Sequence, residues 1–169
     1  SASLNRSTKR RGVIDTILVA GGLGSRAAMR DRLVVDWVRR VAAHSRRVAS
    51  ICTGAGVLAA AGLLDGRRAT THWAFADELA RLYPSVTVDP DPVHVRDGNV
   101  YTSAGVTAGM DLALALVEED FGRDLALTVA RWLVMFLKRP GGQSQFSVQL
   151  AAQQAAREPL RDTQRWVLA

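Results

Sequence analysis

The residues best suited to chemistry lie in the run Val48-Ala49-Ser50-Ile51-Cys52-Thr53-Gly54-Ala55-Gly56. A short apolar stretch ends at the only cysteine of the chain, small residues follow at once, and then an alanine-rich segment begins. This is the pattern of a nucleophile elbow, a strand that turns sharply into a helix with one reactive side chain at its apex. In the G-x-S-x-G form, small residues two before and two after the nucleophile let strand and helix cross closely. Here the frame reads Ser50-Ile51-Cys52-Thr53-Gly54. A cysteine at an elbow sits near a helix N-terminus, where the dipole and free amides favour the thiolate. A lone cysteine also commonly behaves as a small buried hydrophobe. The elements around Cys52 therefore decide between the two readings.

Those elements form a strand–helix–strand–helix order. Val13 to Ala20 is a nearly continuous apolar run of the kind buried on both faces of a parallel sheet. It ends in Gly21-Gly22-Leu23-Gly24, where a tight turn or close backbone approach is expected. Asp31 caps a helix with Leu33, Val34, Trp37, Val38 and Val41 at apolar spacing. Arg47 to Ile51 is the second strand, with Cys52 at its end, and Gly54 to Ala61 is the following helix. Gly21-Gly22 and Cys52 thus both fall at carboxyl ends of parallel strands, where sites of open α/β sheets form.

Further along, Arg67 to His72 is extended and Ala74 to Tyr83 is helical, stopped by Pro84. Val86 to Val88 is a short strand. Val93 to Arg96 and Val100 to Ser103 alternate in polarity around Asp97-Gly98-Asn99, a hairpin signal. Helices are expected over Met110 to Asp120 and Asp124 to Arg139, the second carrying Leu125, Val129, Trp132, Leu133 and Phe136. Pro140-Gly141-Gly142 ends it. From Gln143 the chain turns polar and glutamine-rich, and Leu160 to Ala169 turns helical again. The expected division is a flexible lead-in over 1–12, an α/β domain over 13–142, and a linker with the start of another region over 143–169.

These elements bring candidate groups towards Cys52. The amide of Thr53 and an amide from Gly21-Gly22 can form an oxyanion hole across the crevice. His72 ends a neighbouring strand and can serve as a base, or as a hydrogen-bonded structural histidine. Ser50 and Thr53 can tune the thiol by hydrogen bonding. His44, at a helix end, and His94, on the hairpin, read as solvated. One cysteine and scattered histidines suggest no metal site, and the residues point to no organic cofactor. Gly22-Leu23-Gly24-Ser25-Arg26-Ala27 fits a loose dinucleotide fingerprint. The next strand, however, ends in Cys52 where a ribose-binding acid is needed.

Composition narrows the class. A chain of 169 residues with 48% hydrophobic content suits one domain with a sizeable core. No apolar run is long enough to span a bilayer, and no secretory signal stands at the N-terminus. A single cysteine excludes an internal disulfide and fits a cytoplasmic setting. The net charge of +6 comes largely from dispersed arginine pairs, such as Arg39-Arg40 and Arg67-Arg68. A nucleic-acid footprint would cluster on one face, so these read as solvated surface.

Several linked motifs resemble the ThiJ/PfpI family. They are Val19-Ala20-Gly21-Gly22, Ser50 to Ala55, Ala59 to Gly66, Ala69-Thr70-Thr71-His72-Trp73, Tyr101 to Gly105 and Ala108 to Leu114. The resemblance covers about residues 13–139. It implies the α/β, flavodoxin-like sandwich of the class I glutamine amidotransferase-like type, with a parallel sheet and Cys52 at the elbow. Two branches fit: the sensor domain of AraC-like transcription regulators, and isonitrile hydratase. Gly141-Gly142-Gln143-Ser144-Gln145-Phe146 and Asp162 to Val167 are similar to the regulators' link to a helix-turn-helix domain. The resemblance then implies a small-molecule effector at a pocket lined by Cys52, Thr53, Gly22 and His72, a homodimer, and DNA as partner through a helix-turn-helix region absent here. The alternative is a hydratase or amidase using Cys52 as nucleophile, and a third is a redox-sensitive member oxidised at Cys52. The family fold opens with a strand and helix that carry an acidic partner for the cysteine in many members. This chain is expected to start after that segment.

Overall fold

The computed structural model describes residues 14–139 and 141–144. The basic lead-in, Pro140 and the tail from Gln145 with its expected terminal helix lie outside the described residues. Strands are β1 (Thr16–Val19), β2 (Arg47–Ile51), β3 (Arg68–Ala69), β4 (Thr87–Val88), β5 (His94–Asp97) and β6 (Val100–Ser103). Helices are α1 (Ser25–Ala28), α2 (Arg32–Ala42), α3 (Ala55–Ala60), α4 (Trp73–Leu82), α5 (Val106–Phe121) and α6 (Arg123–Trp132). The main sheet has the order β1-β2-β6-β5. β1–β2 and β2–β6 are parallel, and β5 returns antiparallel to β6. β3 and β4 form a separate parallel pair.

Side chains on alternate strand residues point to opposite faces of the sheet, and here each face has its own cover. Ile17, Val48 and Val100 pack with Val35, Val38 and Ala42 of α2, the body of α3, and Phe75 and Leu79 of α4. Ala49 and Tyr101, one residue along, meet Leu112 and Leu116 of α5 on the other face. The result is a helix–sheet–helix sandwich around a mostly parallel sheet.

Three expectations shift. First, Asp31 does cap α2, its carboxylate accepting from Leu33 N at 2.9 Å, and Val34, Val38 and Val41 pack on the core as expected, but the buried residues of the helix are Val35, Val38 and Ala42. Leu33 is 82% exposed and Trp37 is 49% exposed. Both lie on the adjacent stripe of the helix, which satisfies the same spacing but faces away from the core. Second, β1 is shorter than the apolar run that contains it. Leu18 points to the face opposite Ile17 and stays 45% exposed. Third, the helix expected to reach Arg139 stops at Trp132. Met135 N donates to Ala130 O and Val134 N to Arg131 O, a Schellman closure. Val134 takes the left-handed position at φ 54° that glycine normally holds, so no sequence signal marks the stop.

Candidate functional site

The elbow forms where β2 ends. Cys52 has φ 58°, a left-handed backbone unusual for a residue with a side chain. It opens a single 3₁₀ turn, Cys52–Gly54, that leads into α3. Two bonds hold this conformation. Cys52 N donates to Ala104 O at 2.9 Å, and Cys52 O accepts from Thr71 Oγ1 at 2.8 Å. The sharp turn is possible because its neighbours are small. A methyl group on Gly54 would collide with the Val19 carbonyl, so β1 and the start of α3 cross at near contact.

The Gly21–Gly22 loop closes over the same turn. Gly22 has φ 124°, which glycine alone adopts without strain. A methyl on Gly21 would stand 2.7 Å from Thr53 N and 2.9 Å from Cys52 Cβ. Glycine at that position therefore leaves the Thr53 amide uncovered. Thr53 ties the two loops together: its Oγ1 accepts from Gly22 N at 3.0 Å and from Ser25 Oγ at 2.9 Å.

This geometry reassigns several predicted groups. The Gly22 amide is engaged with the Thr53 hydroxyl, so it is not the second free donor of an oxyanion hole. The Thr53 hydroxyl supports the loop and does not bond the thiol. Ser50 is fully buried and its Oγ has no hydrogen-bond partner, so it does not tune Cys52 either. Among the described residues, no hydrogen bond reaches Cys52 Sγ. His72 caps α4, and its Nδ1 accepts from Ala74 N at 3.2 Å. A neutral imidazole with Nδ1 as acceptor carries its proton on Nε2. His72 therefore offers a donor in this state and not a base. Its ring edge lies against Gly105, where an added methyl would sit 3.1 Å from Cδ2 and 3.6 Å from Nε2.

Three contributors carried no clear sequence signal. Ser25 reaches Thr53, Thr71 supports the Cys52 carbonyl, and Gln143 enters from the end of the described chain. Gln143 opens the polar, glutamine-rich stretch, yet it is only 8% exposed. Its Oε1 accepts from Trp73 N at 3.0 Å. Its Nε2 donates to Thr71 O at 3.1 Å, Thr70 Oγ1 at 3.2 Å and Pro92 O at 3.2 Å. Burial of a glutamine depends on distant partners that local pattern does not reveal. Among the described residues, no cluster of histidine, cysteine and carboxylate side chains could hold a metal ion, and no helix is long and apolar enough to cross a membrane.

A sandwich of this topology with a strained cysteine at the elbow is of the class I glutamine amidotransferase-like type. Within that class, the chain belongs to the DJ-1/PfpI family, whose model matches residues 4–119. It is 50% identical to isonitrile hydratase of Pseudomonas putida over 119 residues, covering 69% of this chain and 50% of that protein. It is 39% identical to the HTH-type transcriptional regulator CdhR of Pseudomonas aeruginosa over 126 residues, covering 75% of this chain and 37% of the regulator. Among solved structures, a ThiJ/PfpI family protein from Pseudomonas syringae superposes with a TM-score of 0.67 at 32% identity, over 75% of this chain and 52% of that one. The chain spans half or less of the length of these curated relatives.

Proposed function

We propose that this chain is the effector-sensing domain of an AraC-like transcription regulator. In this reading Cys52, Thr53, Gly22 and His72 frame a pocket for a small-molecule effector. DNA is contacted by a separate helix-turn-helix region, and the cytoplasmic protein works as a homodimer. The observation that carries the reading is the hydrogen bond that His72 Nδ1 accepts from Ala74 N at 3.2 Å. The Nδ1 lone pair is committed to the α4 cap, so the ring supplies Nε2–H as a ligand-binding donor. A cysteine enzyme that uses His72 as its base needs the opposite, a free lone pair on that ring within reach of the thiol. The regulator-named relatives support the same side. The test is chromatin immunoprecipitation of the intact native protein in its own host. Enrichment at discrete promoter sites is expected, with occupancy altered by Cys52→Trp, which places a bulky side chain at the elbow. Absence of discrete enrichment would overturn the reading.

The 50% identity to isonitrile hydratase favours one second reading. In it Cys52 attacks an isonitrile or amide carbon, and an open Thr53 amide beside Gly21 receives the developing charge. This requires His72 to release the Ala74 amide, or another group to take the thiol proton.

A further inference from the structure

The segment 141–144 is built into the wall of the elbow site. Gln143 binds both sides of His72 in sequence: Thr70 and Thr71 before it, and the Trp73 amide after it. The connection to the cysteine runs through Thr71. Gln143 Nε2 holds the Thr71 carbonyl, and the Thr71 hydroxyl holds the carbonyl of Cys52. Asp91 fastens the segment from the other side. Its backbone carbonyl accepts from Gln143 N at 2.6 Å, and its carboxylate accepts from Ser144 N at 3.1 Å and Ser144 Oγ at 2.5 Å. The Ser144 hydroxyl and amide hold the Asp91 carboxyl below its usual pKa. Gly142 lies flat against Asp91, where any Cβ would collide with the carboxylate.

A second anchor lies just upstream. Arg139 Nη2 bonds Asp111 at 2.6 Å and the Thr107 carbonyl at 3.3 Å, in the first turns of α5. Gly105, the residue that caps α5, is the one pressed against the His72 ring. Arg139 thus holds the first turns of α5, whose cap lies by His72, and Gln143 holds the residues on either side of His72 in sequence.

We propose that Gln143 is a positioning residue of the elbow site, and that segment 141–144 is the site's mechanical output. A body placed against Cys52 displaces Thr71 and His72, and so loosens the grip on Gln143 and Ser144. By linkage, whatever loosens segment 141–144 changes affinity at the site by the same factor. This rests on the pocket reading of the elbow and adds the regulation that reading lacks.

The test uses the whole 169-residue chain and a simple probe, carbamidomethylation of Cys52 by iodoacetamide. Hydrogen exchange at the Gln143 and Ser144 amides is compared with and without the adduct. In the wild type the adduct is expected to speed exchange there by roughly fivefold or more, the lower end of measured allosteric couplings. In Gln143→Ala, exchange at Ser144 is fast already, and the adduct adds less than about twofold. A merely structural Gln143 would change exchange equally with and without the adduct. Gln143→Glu at neutral pH, which keeps the acceptor for Trp73 N but loses the donors, replaces Gln143→Ala if that variant fails to fold and should be uncoupled in the same way. Equal exchange in wild type with and without the adduct would overturn the proposal. The regulator reading is judged separately by promoter occupancy, so loss of coupling with promoter binding intact removes the role of segment 141–144 alone.

Discussion

The two ends of the main sheet are built on different principles. At the carboxyl ends of β1, β2 and β6, the elbow is assembled from small neutral residues, with glycines at 21, 22, 54 and 105. Among the described residues, no ion pair touches Cys52, Thr53, Gly21, Gly22 or His72. At the opposite end, charge dominates. Arg46 bridges Asp15 and Asp120 at 2.9 Å each. Arg47, nearly fully buried, pairs with Asp120 and lies 3.8 Å from Glu119. Glu119 in turn accepts from Tyr101 Oη at 2.8 Å and meets Arg96 at 3.3 Å. The ionic end ties the C-terminus of α5 to the starts of β1 and β2. The neutral end leaves the electrostatics at Cys52 to backbone amides, which act over short distances and need close approach.

The contrast can be broken at either end. The largest loss is expected at the neutral end, from a single methyl group. Gly54→Ala drives a Cβ into the Val19 carbonyl, and the backbone there cannot give way cheaply. Destabilisation of about 4 kcal/mol, or loss of the fold, is expected in urea unfolding. Next is Asp120→Ala, which leaves Arg47 buried with only the longer Glu119 contact. A loss of about 3 kcal/mol is expected, because removing one partner strands a buried charge. Arg47→Met should cost less than Asp120→Ala, since Asp120 keeps Arg46.

Thr53→Val is intermediate. It keeps the shape of the side chain but removes the acceptor shared by Gly22 N and Ser25 Oγ. A loss of about 1.5 kcal/mol is expected, with alkylation of Cys52 altered as the glycine loop loosens. Arg46→Met should have the smallest effect, about 0.5 kcal/mol, because the Asp15 and Arg46 side chains are at least half exposed and screened. Its pH dependence is the sharper readout. The Arg46 hydrogen bond holds both Asp15 and Asp120 below the usual carboxylate pKa of 3.8. A depressed carboxylate stabilises the fold above its unfolded pKa and loses that contribution as pH falls through the folded value. The difference between wild type and Arg46→Met should be constant from neutral pH to about 4 and shrink below it.

The neutral end was largely legible in the sequence. A strand ending in Ser50-Ile51-Cys52-Thr53-Gly54, with a glycine pair ending the strand before it, admits few geometries. Both close approaches follow from residues with little or no side chain. The ionic end was not legible, since Arg46 and Asp120 are distant in sequence and charged residues alone do not reveal their partners. Roles within the site were also hidden. Whether His72 faces the thiol as a base depends on which ring nitrogen the α4 cap consumes, a tertiary detail. Leu33 and Trp37 misled because two neighbouring stripes of α2 meet the same apolar spacing. Val134 ended α6 without the glycine that usually announces such a turn. Gln143 was hidden by its polar neighbours, and its burial rests on partners about seventy residues earlier in the chain.

In the proposed reading the elbow binds an effector and does not turn it over. The direct measurement is incubation of the protein with a large excess of a small alkyl isonitrile, with the formamide produced by addition of water counted by NMR. With His72 Nδ1 committed to the α4 cap, less than one formamide per Cys52 is expected. Sustained multiple turnover that disappears in Cys52→Ala would contradict the account and establish the domain as an enzyme.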